Sequence, residues 1–281
     1  MHPVMGSPMQ MPVAGVFDFL GNSVRPEAEL WAGTVRANGG AVVNEDVAIV
    51  SAFIAAEDAA GIWALTDDYH GLWAPNSVQA RVSIKQRRLM TMTGSPTHTA
   101  NRDYAFNGST QYGDTGFVPL THAVSMTASS ARIDAYERTN VATNTYAAGV
   151  ADASNKRLTV CPCNASGIRV NGEANAALGA FAIAGDSRGL TSISRNGGTA
   201  ADCVAYKNGV ALTRTIDPSG FGAALPGYSI FIGGFNSAGA LSNPRASSIG
   251  FVSWGASLTA AQSLVRYNNV QAWATIRGAN V

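Results

Sequence analysis

From about Tyr104 onward the chain alternates apolar and polar residues in short runs, and Asn-Gly pairs punctuate those runs. The runs are His122/Val124/Met126, Leu158/Val160, Ile168/Val170, Phe181/Ile183, Tyr228/Ile230/Ile232 and Ile249/Phe251. A period of two places one face of a strand in a core and the other outside it. The pairs Asn107-Gly108, Asn171-Gly172, Asn196-Gly197 and Asn208-Gly209 tolerate the positive φ of tight turns, which indicates antiparallel hairpins. Many short strands with regular turn signals read as a sandwich or barrel.

The region before this is helical in texture. Pro26 opens a first helix, with Glu27 and Glu29 at its positive end and Asn38-Gly39-Gly40 as its stop. Asn44 reads as the N-cap of a second helix carrying Val47, Val50 and Ile54 on one face and ending at Gly61. A third helical stretch is expected over Ser77 to Leu89, and Trp63, Tyr69 and Trp73 are expected to pack helices onto the strands. Thr259 and Gln262 form a capping box that starts a closing helix. Residues 1–24, rich in Met and Pro, read as an N-terminal assembly arm, residues 25–100 as a helical region, and 101–281 as the sandwich with its C-terminal helix.

Composition narrows the function. Charged residues make up 13% of the chain against a usual ~25%. A surface so poor in charge is what neighbours in an assembly would cover, or what compositional drift in a Gly- and Ala-rich β-protein leaves. The net charge of +1 speaks against nucleic-acid binding, and the basic cluster Lys85, Arg87 and Arg88 reads as a solvated face. Apolar runs are too short for a membrane span. The first basic residue is Arg25, and Pro3, Pro8 and Pro12 interrupt the apolar start, so a secretory signal is not read. Cys161, Cys163 and Cys203 have no zinc spacing and read as reduced, small apolar residues in a protein made in a reducing cytoplasm.

Catalytic patterns are weak. Gly185-Asp186-Ser187-Arg188-Gly189 fits G-x-S-x-G, but the histidines, His2, His70, His98 and His122, all precede Ser187, and a strand rather than a helix follows it, so Ser187 reads as a residue of a polar turn between strands with no role of its own. The acidic pairs Glu27/Glu29, Glu45/Asp46, Glu57/Asp58 and Asp67/Asp68 lie mostly on expected helices, where the helix dipole and solvent account for them. Asp114, Asp202 and Asp217 read as turn residues rather than cation ligands. No catalytic, cofactor or metal residue is assigned, and the expectation is a protein that is not an enzyme.

Several strings resemble the last strands of laminin-G-like, or concanavalin A-like, jelly-roll proteins. They are Tyr206-Lys207-Asn208-Gly209, Ile230-Phe231-Ile232-Gly233 and Ala256-Ser257-Leu258-Thr259-Ala260-Ala261-Gln262. Val35–Gly40 and Tyr104–Pro119 add a likeness to virion and tail-fibre components of tailed bacteriophages. The resemblance implies a mainly β jelly-roll sandwich with a helical N-terminal region. It also implies a virion structural protein (tail fibre, spike or capsid decoration) that packs on other virion proteins and on itself. A module recognising a host-surface glycan is the alternative, and a hydrolase stands third. Nucleic acid and membrane are not expected partners.

Overall fold

The computed structural model describes residues 24–281 apart from 154–155, 166–168, 175–178 and 184. The expected arm therefore lies outside the described residues except for Val24, and so does Ile168 of the alternating runs.

Two largely antiparallel sheets face each other, making a mainly β fold of the sandwich type. The first runs, edge to edge, through Val210–Ala211, Cys203–Lys207, Gly189–Asn196, Ser130–Glu137, Ser248–Gly255, Asp103–Ala105 and Thr97–Thr99, and Thr66–Gly71 also pairs with Ser248–Gly255. The second runs through Arg214–Ile216, Gly179–Ala182, Arg169–Ala174, Lys156–Cys161, Ala148–Ala153, Phe231–Ile232, Tyr112–Asp114 and Thr91–Thr93. Between them lies the main core. Ile133, Ile193, Val252 and Trp254 from the first sheet meet Val150, Leu158, Phe181 and Ile232 from the second.

A third layer covers the outer face of the first sheet. Helix Pro26–Ala37 buries Ala28, Trp31, Ala32 and Val35, the spacing of one helical face. With Asn44–Ala59 and Ala260–Ile276 it encloses a second core, in which Val50, Phe53 and Ile54 meet Tyr69, Trp73, Phe251 and Trp273. Trp73 stacks on Phe251 at 5.8 Å and meets Trp273 edge-on at 5.4 Å. Trp73, Trp254 and Trp273 are core, while Trp63, expected to pack helices onto the strands, is half-buried.

A bulge sends two residues of one strand, two positions apart, into different cores. Ile249 and Phe251 would face the same side of a regular strand. The register shifts between them at Gly250, so Ile249 points into the inter-sheet core and Phe251 into the helical one. A Cβ on Gly250 would stand 2.6 Å from the Trp73 ring, so only glycine fits.

Local expectations met mixed outcomes. Thr259 does cap the last helix, accepting from the Gln262 N–H at 3.2 Å while the Thr259 N–H donates to Gln262 Oε1. The second helix is capped by Val43, with Asn44 its first turn, because Asp46 reaches back to accept from the Val43 N–H. The stretch expected helical to Leu89 is helix only over Ser77–Arg81; Val82 then bridges Leu89 instead. Thr66–Gly71, Thr91–Thr93 and Thr97–Thr99 are strands within the region read as helical. Asn171-Gly172 sits inside the strand Arg169–Ala174, and His122 ends a short helix rather than starting a strand. Asn208-Gly209 is the two-residue hairpin expected, with φ of 50° and 78°.

A Cβ on Gly209 would meet the Leu264 backbone at 2.7 Å as well as straining a positive φ. Gly209→Val is expected to lower stability by about 1–3 kcal/mol. A thermal melt checks this; an unchanged Tm would mean that the turn does not constrain the fold.

Candidate functional site

The inner face of the first sheet changes character at one end. Ala135, Ile193 and Ala205 are core, but the inward positions that follow them are Glu137, Thr191 and Lys207. Thr191 lies opposite both Lys207 and Ala135, and Glu137 opposite Gly189. The sandwich therefore closes at this end on polar groups.

Each polar group is held in place. Glu137 is fully buried and paired with Arg245, Nε to Oε1 at 2.6 Å and Nη2 to Oε2 at 2.9 Å. The same guanidinium donates to the carbonyls of Val141, Thr143 and Thr145, which pins that loop over the sheet end. Lys207 Nζ donates to the Ser187 carbonyl at 2.6 Å and to Thr191 Oγ1 at 3.0 Å. Burial pushes the Lys207 ammonium down to about 8. Asp186 accepts from Arg188 Nε at 3.1 Å and Nη2 at 2.8 Å, and Arg188 holds its carboxyl below the usual range. Asn208 Oδ1 accepts from the Leu190 N–H at 2.9 Å, which ties the hairpin to the neighbouring strand.

Four of these residues line a cleft of about 450 Å3. Ala182, Ile183 and Leu212 form one wall, and Asp186, Arg188, Lys207 and Asn208 supply the polar lining. Apolar surface beside a few fixed donors and acceptors is the arrangement of small-molecule clefts in general.

Sequence reasoning found the hairpin but not the cleft, because Lys207 reads as an ordinary hairpin flank. The one available signal was polarity at inward-facing positions, Glu137, Thr191 and Lys207, where alternation calls for core. Ser187 proves fully buried, accepting from the Val141 N–H at 2.8 Å and donating to the Thr139 carbonyl at 3.1 Å. It is a loop anchor with its hydroxyl committed, rather than an exposed turn residue.

Other sequence candidates fall elsewhere. Asp114 caps the Gly116 N–H, Asp202 caps Thr199, and Asp217 pairs with Arg214; the three are not brought together. Among the described residues no cluster of His, Cys, Asp or Glu is arranged to hold a metal. Cys161, Cys163 and Cys203 are buried and free, with Cys161 and Cys203 pushed up to about 11 by burial. Of the acidic pairs read as solvated, Asp46, Glu57, Asp67 and Asp68 are buried. Asp67 accepts from the N–H groups of Val124, Ser125 and Met126, and burial raises Asp68 to about 6. Lys85, read as part of a solvated face, donates to the Trp63 and Thr66 carbonyls and lies over the Trp63 ring.

No protein-family model matches the chain, and no curated protein matches it. Among solved structures it is similar to domain 4 of an extracellular arabinanase from Geobacillus stearothermophilus in complex with arabinotriose. The identity is 17% and the TM-score 0.41, over 63% of this chain and 86% of that one. It is also similar to a Trypanosoma rangeli sialidase mutant displaying trans-sialidase activity, at 11% identity and TM-score 0.46. That match covers 82% of this chain and 40% of the sialidase, so the chain spans well under half of the enzyme's length. A third is the Ruminococcus gnavus IT-sialidase CBM40 bound to α2,3-sialyllactose, at 12% identity and TM-score 0.38, over 58% and 95% of the two chains. Glycoside hydrolases stand among the structures this chain resembles, against the expectation that it is not an enzyme.

Ser187→Ala removes two buried hydrogen bonds and is expected to cost about 1–3 kcal/mol. Urea denaturation of the variant checks this; a midpoint equal to that of the parent would show Ser187 to be the idle turn residue first expected.

Proposed function

We propose that the chain is a carbohydrate-binding β-sandwich, of the laminin-G-like jelly-roll type that its C-terminal strings resemble, with its glycan in the cleft beside Lys207. One observation carries this reading. The cleft sets an apolar wall of Ala182, Ile183 and Leu212 against Asp186, Arg188, Lys207 and Asn208. A sugar ring has the same two-sidedness, with C–H faces that pack on apolar side chains and hydroxyl edges that give and accept hydrogen bonds. Arg188 is exposed and keeps donors beyond those given to Asp186, so a ligand can reach them without breaking the core.

A second reading, a packing subunit of a bacteriophage particle, is supported by a different observation. The chain combines 13% charged residues with exposed Leu30, Leu120, Val124 and Val210. Such side chains are what a neighbouring subunit would cover. The two readings are compatible if the module sits on a particle and faces a host-surface glycan.

A carbohydrate array probed with the full chain tests the first reading, with reducing-sugar release measured on every glycan bound. Binding is expected, weakened at least about tenfold by Arg188→Ala. Absence of any bound glycan would sink the carbohydrate reading. Incorporation of a labelled copy into particles under the electron microscope would then favour the packing one.

A further inference from the structure

The cleft holds one positive charge that its acids do not answer. The charged and titratable groups acting on Lys207 are Glu137, Asp186, Cys163 and Arg245. Both oxygens of Glu137 are taken by Arg245, and both of Asp186 by Arg188. Cys163 is a buried thiol whose pKa burial raises, so it adds no negative charge near neutral pH. The partners of Lys207 itself are neutral, a carbonyl and a hydroxyl, and it forms no ion pair among the described residues. Three cations, Lys207, Arg188 and Arg245, thus meet two carboxylates. A half-buried ammonium without a counter-charge is costly to keep, and an anion entering the cleft would relieve it.

Building on the glycan reading above, we propose that the cleft takes an anionic saccharide, whose carboxylate or sulfate sits against Lys207 while its ring lies on Ile183 and Leu212. The selectivity is conditional on pH. Lys207 sits at about 8 in the free protein, so it is charged below that value and loses its proton as pH rises through it. A bound anion favours the charged form and moves that loss upward.

The test uses the full chain on an array carrying uronate-bearing, sulfated and neutral versions of the same glycan backbones, with the uronates also present as methyl esters. At about pH 6.5 the anionic forms are expected to bind about tenfold more tightly than the neutral ones or the esters. At about pH 9.5 that preference should fall towards unity. Lys207→Met should abolish it at the lower pH, and Lys207→Arg should keep it at both. The uronate and sulfate arms decide which anion is taken. Equal binding of acid and ester, or a preference that survives in Lys207→Met, would overturn the proposal. The ester comparison and the pH series on the parent chain decide it even if a variant misfolds. Binding of neutral glycans alone would leave the carbohydrate reading standing and remove this one; no binding of any form would remove both.

Discussion

The three layers meet on a set of charges buried where sheet and helices touch. Asp134 and Arg132 stand on a central strand of the first sheet, Arg266 on the last helix and Glu57 on the second helix, all essentially without solvent exposure. Arg266 Nε pairs with Glu57 at 2.9 Å, and its Nη1 donates to Ser253 Oγ, which in turn donates to Asp134 Oδ2. Arg132 donates to Asp134 at 2.9 Å and to Thr66 Oγ1 at 2.9 Å. Tyr69 and Asn269 donate to the two oxygens of Glu57. Burial alone would lower the pKa of Arg266, yet Glu57, Tyr69 and Asp134 around it hold it raised. Glu57 and Arg266 are satisfied only if the helices are docked, and removing one partner of a buried pair typically costs about 3–5 kcal/mol. The helical layer is therefore part of the same folded unit as the sheet.

Docking the helices on one face decides where a ligand can enter. The outer face of the first sheet is occupied by Trp73, Phe251, Trp273 and the charged network. The end of the sandwich beside the Asn208-Gly209 hairpin is left for a cleft. There the Arg245–Glu137 pair repeats the same device on a smaller scale, tying the loop from Val141 to Thr145 over the sheet and leaving Lys207 as the charge without a counterpart.

Much of this was legible in the sequence where a local rule governs. The Asn208-Gly209 turn, the Thr259–Gln262 capping box and the face Ala28, Trp31, Ala32 and Val35 follow from backbone geometry and helical spacing. What was not legible depends on tertiary cover. Arg132, Asp134, Ser192 and Ser253 alternate with core residues as the wet face of a strand would, and nothing local says that two helices lie over them. Asn171-Gly172 has the composition of a turn but is carried inside a strand by its neighbours on both sides. The Ile249–Phe251 pair reads as one face, and only the bulge at Gly250 assigns its members to different cores. The cleft was missed for a related reason: Lys207, Glu137 and Asp186 are far apart in sequence and meet only when the sheet forms.

The claim that buried charge holds the helical layer together over the sheet is tested most directly by a double-mutant cycle on Glu57 and Arg266, read by urea denaturation. Glu57→Gln and Arg266→Met are each expected to cost about 3–5 kcal/mol. The double variant should lose clearly less than their sum, by at least about 1 kcal/mol of coupling. Small, additive losses within about 0.5 kcal/mol would contradict the account, because the two helices would then be held in their layer by apolar packing alone.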